Sequence, residues 1–157
     1  MRFLNLDQST KISGFSVFDN TNLIDYGHVD SSIKKNLPLE RMKKTSELIA
    51  GLIDKYKPDF VVLENVQFQQ SYATYNQLSQ LQGVLFKLLF DKKIPFTTVA
   101  PVTWKKFCGI TGKRRAEQKE NTIKMVKEKF KIDTTEDEAD AIGIGLWSVN
   151  NIDMEAN

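Results

Sequence analysis

Residues 1–30, MRFLNLDQSTKISGFSVFDNTNLIDYGHVD, decide the predicted fold. Residues 2–7, 14–19 and 22–29 have the alternating, β-branched and aromatic composition of strands, and Asn20-Thr21 suits the turn between the last two. This stretch therefore predicts a three-stranded meander.

Beyond the meander, helix and strand patterns alternate. Residues 38–56 place apolar side chains at helical spacing and stop before Lys57-Pro58, where a helix is expected to end. Residues 59–64 contain an uninterrupted apolar run, which is typical of an interior parallel strand. A leucine-rich helix over 75–90 and a strand over 95–99 complete a βαβ unit, so the pattern predicts an α/β fold.

The carboxy-terminal part is predicted to be helical. A short helical turn covers 104–107, a basic helix runs from about 116 to 130, and a last helix runs from about 136 to 149. Because the chain has no repeat and no low-complexity stretch, residues 1–150 are predicted to form one domain, followed by a flexible tail over 151–157.

Composition excludes several classes of protein. The apolar runs are too short to span a bilayer, so no membrane association is expected. Met1 leads directly into Arg-Phe-Leu-Asn-Leu without the pattern of a secretory signal, and we expect a cytoplasmic protein, in the host cytoplasm if a phage encodes it. The single cysteine, Cys108, and the single histidine, His28, exclude an internal disulfide and a histidine-rich metal site, and both are expected to be structural.

Positive charge is concentrated in one third of the chain. Residues 87–131 carry thirteen Lys and Arg against four acids, whereas residues 132–157 carry seven acids and no base. One interpretation is the solvated face of a surface helix. A track for a polyanion is favoured, because Lys and Arg supply most non-specific affinity for nucleic acids and nearby acids need cations before they can approach DNA.

Four acids occupy positions where a fold needs apolar side chains. Asp7 and Glu64 close two predicted strands, and Asp137 and Asp140 share the apolar face of the last helix. An Asx-type turn and a hydrated sheet edge are the structural alternatives for the first two. Since an unpaired buried carboxylate is strongly unfavourable, and since ligands gather at strand ends in α/β sheets, we expect all four to converge and hold divalent cations.

Helix capping is the structural alternative for the acids of the last helix. Thr135 and Glu138 match a capping box, and acids in a first turn favour the helix dipole, which partly explains Asp137. Capping does not explain Asp140, which lies beyond the first turn and precedes small residues at 141, 143 and 145 that allow close approach to a strand.

Three short motifs resemble those of the RuvC-type Holliday-junction resolvases. Leu6-Asp7 with Gly14 and Val17 is similar to the first motif, Leu63-Glu64-Asn65-Val66 to the second, and Asp137-Glu138-Ala139-Asp140-Ala141 to the third. Their order and spacing agree over nearly the whole chain, and short phage-type members are the most similar overall. The resemblance implies a ribonuclease H-like fold, in which a mixed five-stranded sheet is flanked by helices.

The same resemblance implies an activity. It indicates a homodimer that nicks two opposed strands of a four-way DNA junction with Mg²⁺, for which Mn²⁺ can substitute. Asp7, Glu64, Asp137 and Asp140 would be the catalytic acids and metal ligands, and Lys119 matches the catalytic lysine of the family. Two cations about 4 Å apart would activate a water, hold the scissile phosphate and stabilise the leaving oxygen.

The chain departs from the family pattern at two places. Gln8-Ser9 stand where Pro-Gly usually follows the first aspartate, and the aromatic residue after the glutamate comes one position later, at Phe68. Phe68 is predicted to stack on an unpaired base, with a core phenylalanine as the alternative. The predicted DNA-binding residues are Phe68, Lys105, Lys106, Lys113, Arg114, Arg115 and Lys119.

Three other functions are compatible with these residues. A different ribonuclease H-like nuclease, acting on branched DNA or RNA, would use the same acids. An actin- or hexokinase-like phosphotransferase would use residues 7–17 as a phosphate loop, but its two lobes need about twice this length. A non-catalytic junction-binding protein would use the acids only for structure.

Overall fold

The predicted meander forms one side of a single sheet. The computed structural model describes residues 1–33, 37–68 and 71–153. Its strands are β1 (Arg2–Asp7), β2 (Ile12–Asp19), β3 (Asn22–Asp30), β4 (Phe60–Glu64) and β5 (Phe96–Val99). Its helices are α1 (Pro38–Tyr56), α2 (Tyr72–Asp91), α3 (Pro101–Phe107), α4 (Arg115–Phe130) and α5 (Glu136–Asn151).

The strands are ordered β3-β2-β1-β4-β5. β1 pairs antiparallel with β2, and β2 pairs antiparallel with β3. β1 and β4 are parallel, as are β4 and β5, so these three strands present their carboxyl ends at the same edge. The mixed five-stranded sheet implied by the family resemblance is therefore confirmed.

Helices cover both faces of the sheet, which explains why β4 is apolar without alternation. Val61 and Leu63 point into a core formed with α1 and α2. Val62, between them, points into a second core formed with α3, α4 and α5. The predicted leucine stripe of α2 serves the first core, since Leu81 and Leu85 are almost completely buried there.

The helices begin and end near the predicted residues. α1 spans the predicted range, and its C-cap, Lys57, adopts the left-handed conformation ahead of Pro58. α2 begins earlier than predicted, at Tyr72, because Ser71 caps it by accepting a hydrogen bond from the backbone N–H of Thr74 at 3.3 Å. The predicted turn at 104–107 is a longer helix, α3, with a proline in its first turn.

Helix α5 packs against the centre of the sheet and extends further than predicted, to Asn151. Ile152 then packs against the second core, and residues 154–157 of the predicted tail lie outside the described residues. In the described part of the chain, no helix combines the length and the apolar composition needed to cross a bilayer.

Candidate active site

The two central parallel strands both end in an acid. β1 ends at Asp7 and β4 ends at Glu64. Leu6 is paired in register with Leu63, so the two acids follow neighbouring residues at one edge of the sheet. The leucines are almost completely buried, whereas both acids are partly exposed. The strands thus place two carboxylates side by side at the point where the core meets solvent.

Helix α5 brings the other two acids to the same edge. Its first turn lies against β2, at Gly14, the residue paired with Asp7. A Cβ at Gly14 would lie 1.9 Å from the backbone oxygen of Asp137, so this contact requires glycine. Asp140 follows about one turn later along α5. The predicted convergence of the four acids is therefore present, while their roles stay predictions.

The predicted capping box at the start of α5 is also present. Thr135 Oγ1 accepts a hydrogen bond from the Glu138 N–H at 3.3 Å, and Glu138 Oε2 accepts one from the Thr135 N–H at 2.9 Å. Glu138 Oε1 lies 2.8 Å from His28 Nδ1, which joins β3 to α5. Capping accounts for Glu138 and leaves Asp137 and Asp140 to line a cleft.

This cleft has a volume of about 1330 Å³ and contains all four acids in its wall. The acids come from the ends of β1 and β4 and from the first two turns of α5. Basic side chains from α3 and α4 line the same cleft, namely Lys105, Lys106, Arg115 and Lys119. The cleft therefore combines carboxylates, which can bind a cation, with basic side chains, which can bind the phosphate backbone of a nucleic acid.

Burial and mutual repulsion perturb the acids. Burial holds the pKa of Asp7 well above its usual range, and the carboxylates of Glu64, Asp140 and Asp137 raise it further. Burial, followed by the charge of Glu64, raises the pKa of Asp140 to about 7. The pKa values of Glu64 and Asp137 are also raised, mainly by burial. A group of acids in a cleft whose pKa values are all raised is typical of functional sites.

The donor chemistry of these acids fits a hard divalent cation. Within residues 1–33, 37–68 and 71–153, no three Asp, Glu, His or Cys side chains are grouped closely enough to enclose an ion as they stand. The four carboxylates nevertheless line one cleft, offer only oxygen ligands and carry repulsion that a cation would relieve. Coordination would require these carboxylates, which already line the cleft, to move closer together.

Two lysines place positive charge beside the acids. The Nζ of Lys119 lies 2.5 Å from Glu136 Oε2, and its charge opposes the burial-driven rise in the pKa of both α5 aspartates. The charge of Lys105 opposes the rise in pKa at three of the four acids, two of which are on the strands. Lys105 is predicted from the sequence to bind DNA, and the structure also places it next to the acids.

The remaining basic residues of the predicted DNA-binding set lie around the cleft. Lys106 and Arg115 line it. Lys113 is exposed in the loop before α4, and Arg114 is the exposed N-cap residue of that helix. The predicted DNA-binding residues before and at the start of α4 therefore adjoin the cleft that contains the acids.

Phe68 lies four residues after Glu64 and is 61% exposed. Its ring makes an edge-to-face contact with the ring of Tyr75, with the centroids 5.6 Å apart. The alternative of a core phenylalanine is therefore wrong. An exposed ring supported by a second aromatic residue is available to stack on a base, and that role stays a prediction.

Three residues that bond to Glu64 were not identified from the sequence. Trp104 Nε1 donates to Glu64 Oε2 at 2.7 Å, and the side-chain amides of Gln82 and Gln8 both donate to the backbone oxygen of Glu64. Gln8 was noted only as a departure from Pro-Gly. No local pattern marks these contacts, because the partners are distant along the chain.

A model of one protein family matches nearly the whole chain. The model, described as crossover junction endodeoxyribonuclease RuvC, matches residues 3–147. The chain belongs to the RuvC family. The RuvC protein of Petrotoga mobilis is 32% identical over 156 residues, which cover 96% of this chain and 94% of that protein. The RuvC protein of Fusobacterium nucleatum is 30% identical over 161 residues, which cover 97% and 82%.

Solved structures of RuvC and a related resolvase share the fold. Thermus thermophilus RuvC, in complex with Holliday junction substrate, has a TM-score of 0.76 at 16% identity, covering 93% of this chain and 91% of that one. The yeast mitochondrial Holliday junction resolvase Ydc2 has a TM-score of 0.65 at 14% identity, covering 94% and 77%. These similarities confirm the ribonuclease H-like fold. The relatives named above are cellular proteins, so the narrower resemblance to phage-type members is not confirmed.

Proposed function

We propose that this RuvC-family chain resolves four-way DNA junctions by nicking two opposed strands through metal-dependent phosphodiester hydrolysis. The observation that supports it most is the meeting of four acids from β1, β4 and α5 in one cleft that also has basic walls. Membership of a family of crossover junction endodeoxyribonucleases supports DNA as the substrate. The complex of T. thermophilus RuvC supports a branched DNA.

In this proposal Asp7, Glu64, Asp137 and Asp140 hold the cation. Mg²⁺ is the proposed ion and Mn²⁺ a substitute, because both prefer oxygen ligands. A divalent cation bound there supplies activation of water and of the scissile phosphate at neutral pH. The acids position it from rigid elements, since their neighbours in β1, β4 and α5 are buried.

Lys105 and Lys119 provide positive charge in the wall of the cleft that contains the acids. Each is on a helix, so its backbone is held in place. As negative charge grows on the phosphate oxygens in the transition state, a lysine already in position stabilises it without reorganising. Lys119 has a neighbouring carboxylate, Glu136, which holds the ammonium group at the rim of the cleft.

The basic residues around the cleft provide the track for the DNA backbone. Lys106, Lys113, Arg114 and Arg115 are all exposed and belong to α3, α4 and the loop between them. Phosphate contacts of this kind fix the position of the DNA without reading its sequence. Phe68 adds an exposed ring that stacks on a base unpaired at the crossover.

A homodimer is part of the proposal, because two opposed nicks need two active sites. The outer surface of α1 and α2 supplies an apolar area suited to a second copy, with Leu39 70% and Val84 36% exposed. Sedimentation velocity at several concentrations tests this. A single species with the mass of one chain at micromolar concentration contradicts it.

The decisive experiment is cleavage of a labelled, immobile four-way junction with Mg²⁺, with Mn²⁺ and with EDTA. We expect paired nicks with either cation and none in EDTA. We expect Asp7→Asn and Glu64→Gln to keep junction binding and to lose nicking. Retained nicking at the wild-type rate in either variant removes that residue from the mechanism.

Matched substrates separate the proposal from its alternatives. Faster cleavage of a flap or an RNA·DNA hybrid than of the junction would indicate a different ribonuclease H-like nuclease. Junction binding without nicking in both cations would indicate a non-catalytic binding protein. Thermal unfolding of the variants in EDTA is the control for folding, and it is expected to show no loss of stability, because each variant removes a repelling charge.

A further inference from the structure

Glu64 is held by side chains from three different parts of the chain. Trp104 on α3 donates its indole N–H to Glu64 Oε2 at 2.7 Å. Gln82 on α2 and Gln8, just after β1, donate to the Glu64 backbone oxygen at 3.0 Å and 2.5 Å. All three side chains are buried, and Trp104 has no exposed surface. Both the backbone and the carboxylate of this acid are therefore fixed from within the protein.

We propose that Trp104 is a positioning residue, which holds one carboxylate oxygen of Glu64 and leaves the other for a divalent cation. This inference rests on the function proposed above. An indole offers one N–H donor, no acceptor and no formal charge. It can therefore orient a carboxylate without neutralising the charge that attracts the cation, whereas a lysine or arginine in its place would compete with the cation.

The indole ring cannot turn away, because α5 packs directly on it. A Cβ at Gly143 would lie 2.5 Å from Cζ3 and 2.8 Å from Cε3 of Trp104, so the ring fills the space that a side chain would need. Trp104 thus touches the helix that carries Asp137 and Asp140 while it bonds to the acid of β4. The Trp104 side chain therefore helps to set the position of Glu64 relative to Asp137 and Asp140.

Gln8 makes the corresponding connection to the first motif. It follows Asp7 directly, at the position where the family pattern has proline, and proline has no side-chain donor. Its amide reaches across to the residue that ends the neighbouring strand. Trp104 and Gln8 together tie Glu64 to the elements that carry the other three acids.

Because Trp104 donates a hydrogen bond to Glu64, its natural fluorescence can report on cation binding without a substitution in the site. The chain has two tryptophans, and the second, Trp147, packs in the second core. In a Trp147→Phe background with selective excitation of tryptophan, the recorded emission comes from Trp104. We expect Mg²⁺ to change its emission in a saturable way, and we expect Glu64→Gln in the same background to abolish the change. An emission that does not respond to Mg²⁺ in protein that nicks junctions overturns the inference.

Removal of the donor is the second test. Trp104→Phe keeps a buried aromatic ring at this position and deletes the N–H. We expect it to weaken Mn²⁺ binding about 10- to 100-fold in calorimetric titration, as is found when a group that orients a metal ligand is lost. We expect junction affinity in EDTA to be unchanged, and nicking to recover toward the wild-type rate at high Mg²⁺. Trp147→Phe is the matched control and is expected to bind Mn²⁺ as the wild type does.

These outcomes distinguish the inference from the proposed function. Wild-type protein that neither binds Mn²⁺ nor nicks a junction overturns the function itself. Wild-type protein that does both, together with a folded Trp104→Phe variant of equal Mn²⁺ affinity, overturns only the role of Trp104. If Trp104→Phe does not fold, the emission experiment decides, because it leaves the indole in place.

Discussion

Replacing Gly14 with alanine tests whether the contact between β2 and α5 sets the position of the acids. The new Cβ would lie 1.9 Å from the backbone oxygen of Asp137 and 2.4 Å from its carbonyl carbon. Contacts of a real Cβ do not fall below 3.0 Å, and both clashing atoms belong to the backbone, so no side-chain rotation can relieve the clash. The start of α5 must therefore move away from β2 by about 1 Å or more.

The size of this movement gives the expected effects. Overpacking of a close contact destabilises a protein by about 1–3 kcal/mol. A displacement of about 1 Å between catalytic groups lowers the rate by about 10²-fold. We therefore expect Gly14→Ala to lower the unfolding temperature and to slow nicking by about two orders of magnitude. Junction affinity in EDTA is expected to stay unchanged, because the basic residues are on α3, α4 and their connecting loop.

Single-turnover nicking of a labelled junction measures the rate, and thermal unfolding measures the stability. Gly51→Ala is the matched control, since Gly51 lies inside α1 and its Cβ would meet nothing within 4 Å. The control is expected to keep full activity and to gain up to about 1 kcal/mol of stability from helix propensity. A folded Gly14→Ala protein that nicks at the rate of the control refutes the reasoning.

Three further predictions concern the charges of the cleft and the aromatic residue beside it. In EDTA, the free energy of unfolding is expected to fall as the pH rises from about 4 to about 7, because folded Asp140 keeps its proton up to a pKa of about 7 while the unfolded chain releases it near pH 4. Urea titrations at several pH values measure this fall, Asp140→Asn is expected to reduce it, and a rise over the same interval contradicts it. Lys119→Ala is expected to slow nicking with little change in junction affinity. Glu136→Gln, which removes only the ion-pair partner of Lys119, is the control and is expected to change neither the nicking rate nor the affinity strongly. Loss of affinity with a normal nicking rate in Lys119→Ala would make Lys119 a binding residue. Phe68→Ala is expected to weaken junction binding about 10-fold in mobility-shift assays, as the loss of one stacked base does, while Phe68→Trp retains it; equal affinity of both variants would exclude stacking.

Most of the fold could be predicted because its elements have strong local patterns. The apolar run of β4 and the periodic helix α1 appear at the expected residues. The start of α2 was missed because its first turn, Tyr72-Ala-Thr-Tyr75, lacks the leucine spacing of the rest, and the cap is a single serine. α3 was underestimated because its exposed residues, among them Val102, break the amphipathic pattern.

The candidate site, like the fold, was predictable from the sequence only in part. The four acids could be found because each is a charged residue at a position where the local pattern calls for an apolar one. Such a mismatch can be recognised in a single sequence. The bond between Trp104 and Glu64 could not, because it joins residues 40 positions apart and a buried tryptophan conflicts with nothing. The exposure of Phe68 could not be predicted either, because phenylalanine is most often found in the core.

Neutral contacts help to hold the strands and the helix that carry the acids. Burial, followed by repulsion from the other carboxylates, raises the pKa of Asp7, and the cost of keeping this acid charged in the folded state must be offset elsewhere. Part of the offset comes from the buried neighbours of the acids, such as Leu6 in β1 and Ala139 in α5, and from the two places where glycine allows α5 to approach, Gly14 and Gly143. A frame built from such contacts keeps its geometry when the acids gain or lose protons. Cations would therefore enter a cleft whose strands and helix are already in place, and the carboxylates would move closer together as cation binding relieves their repulsion.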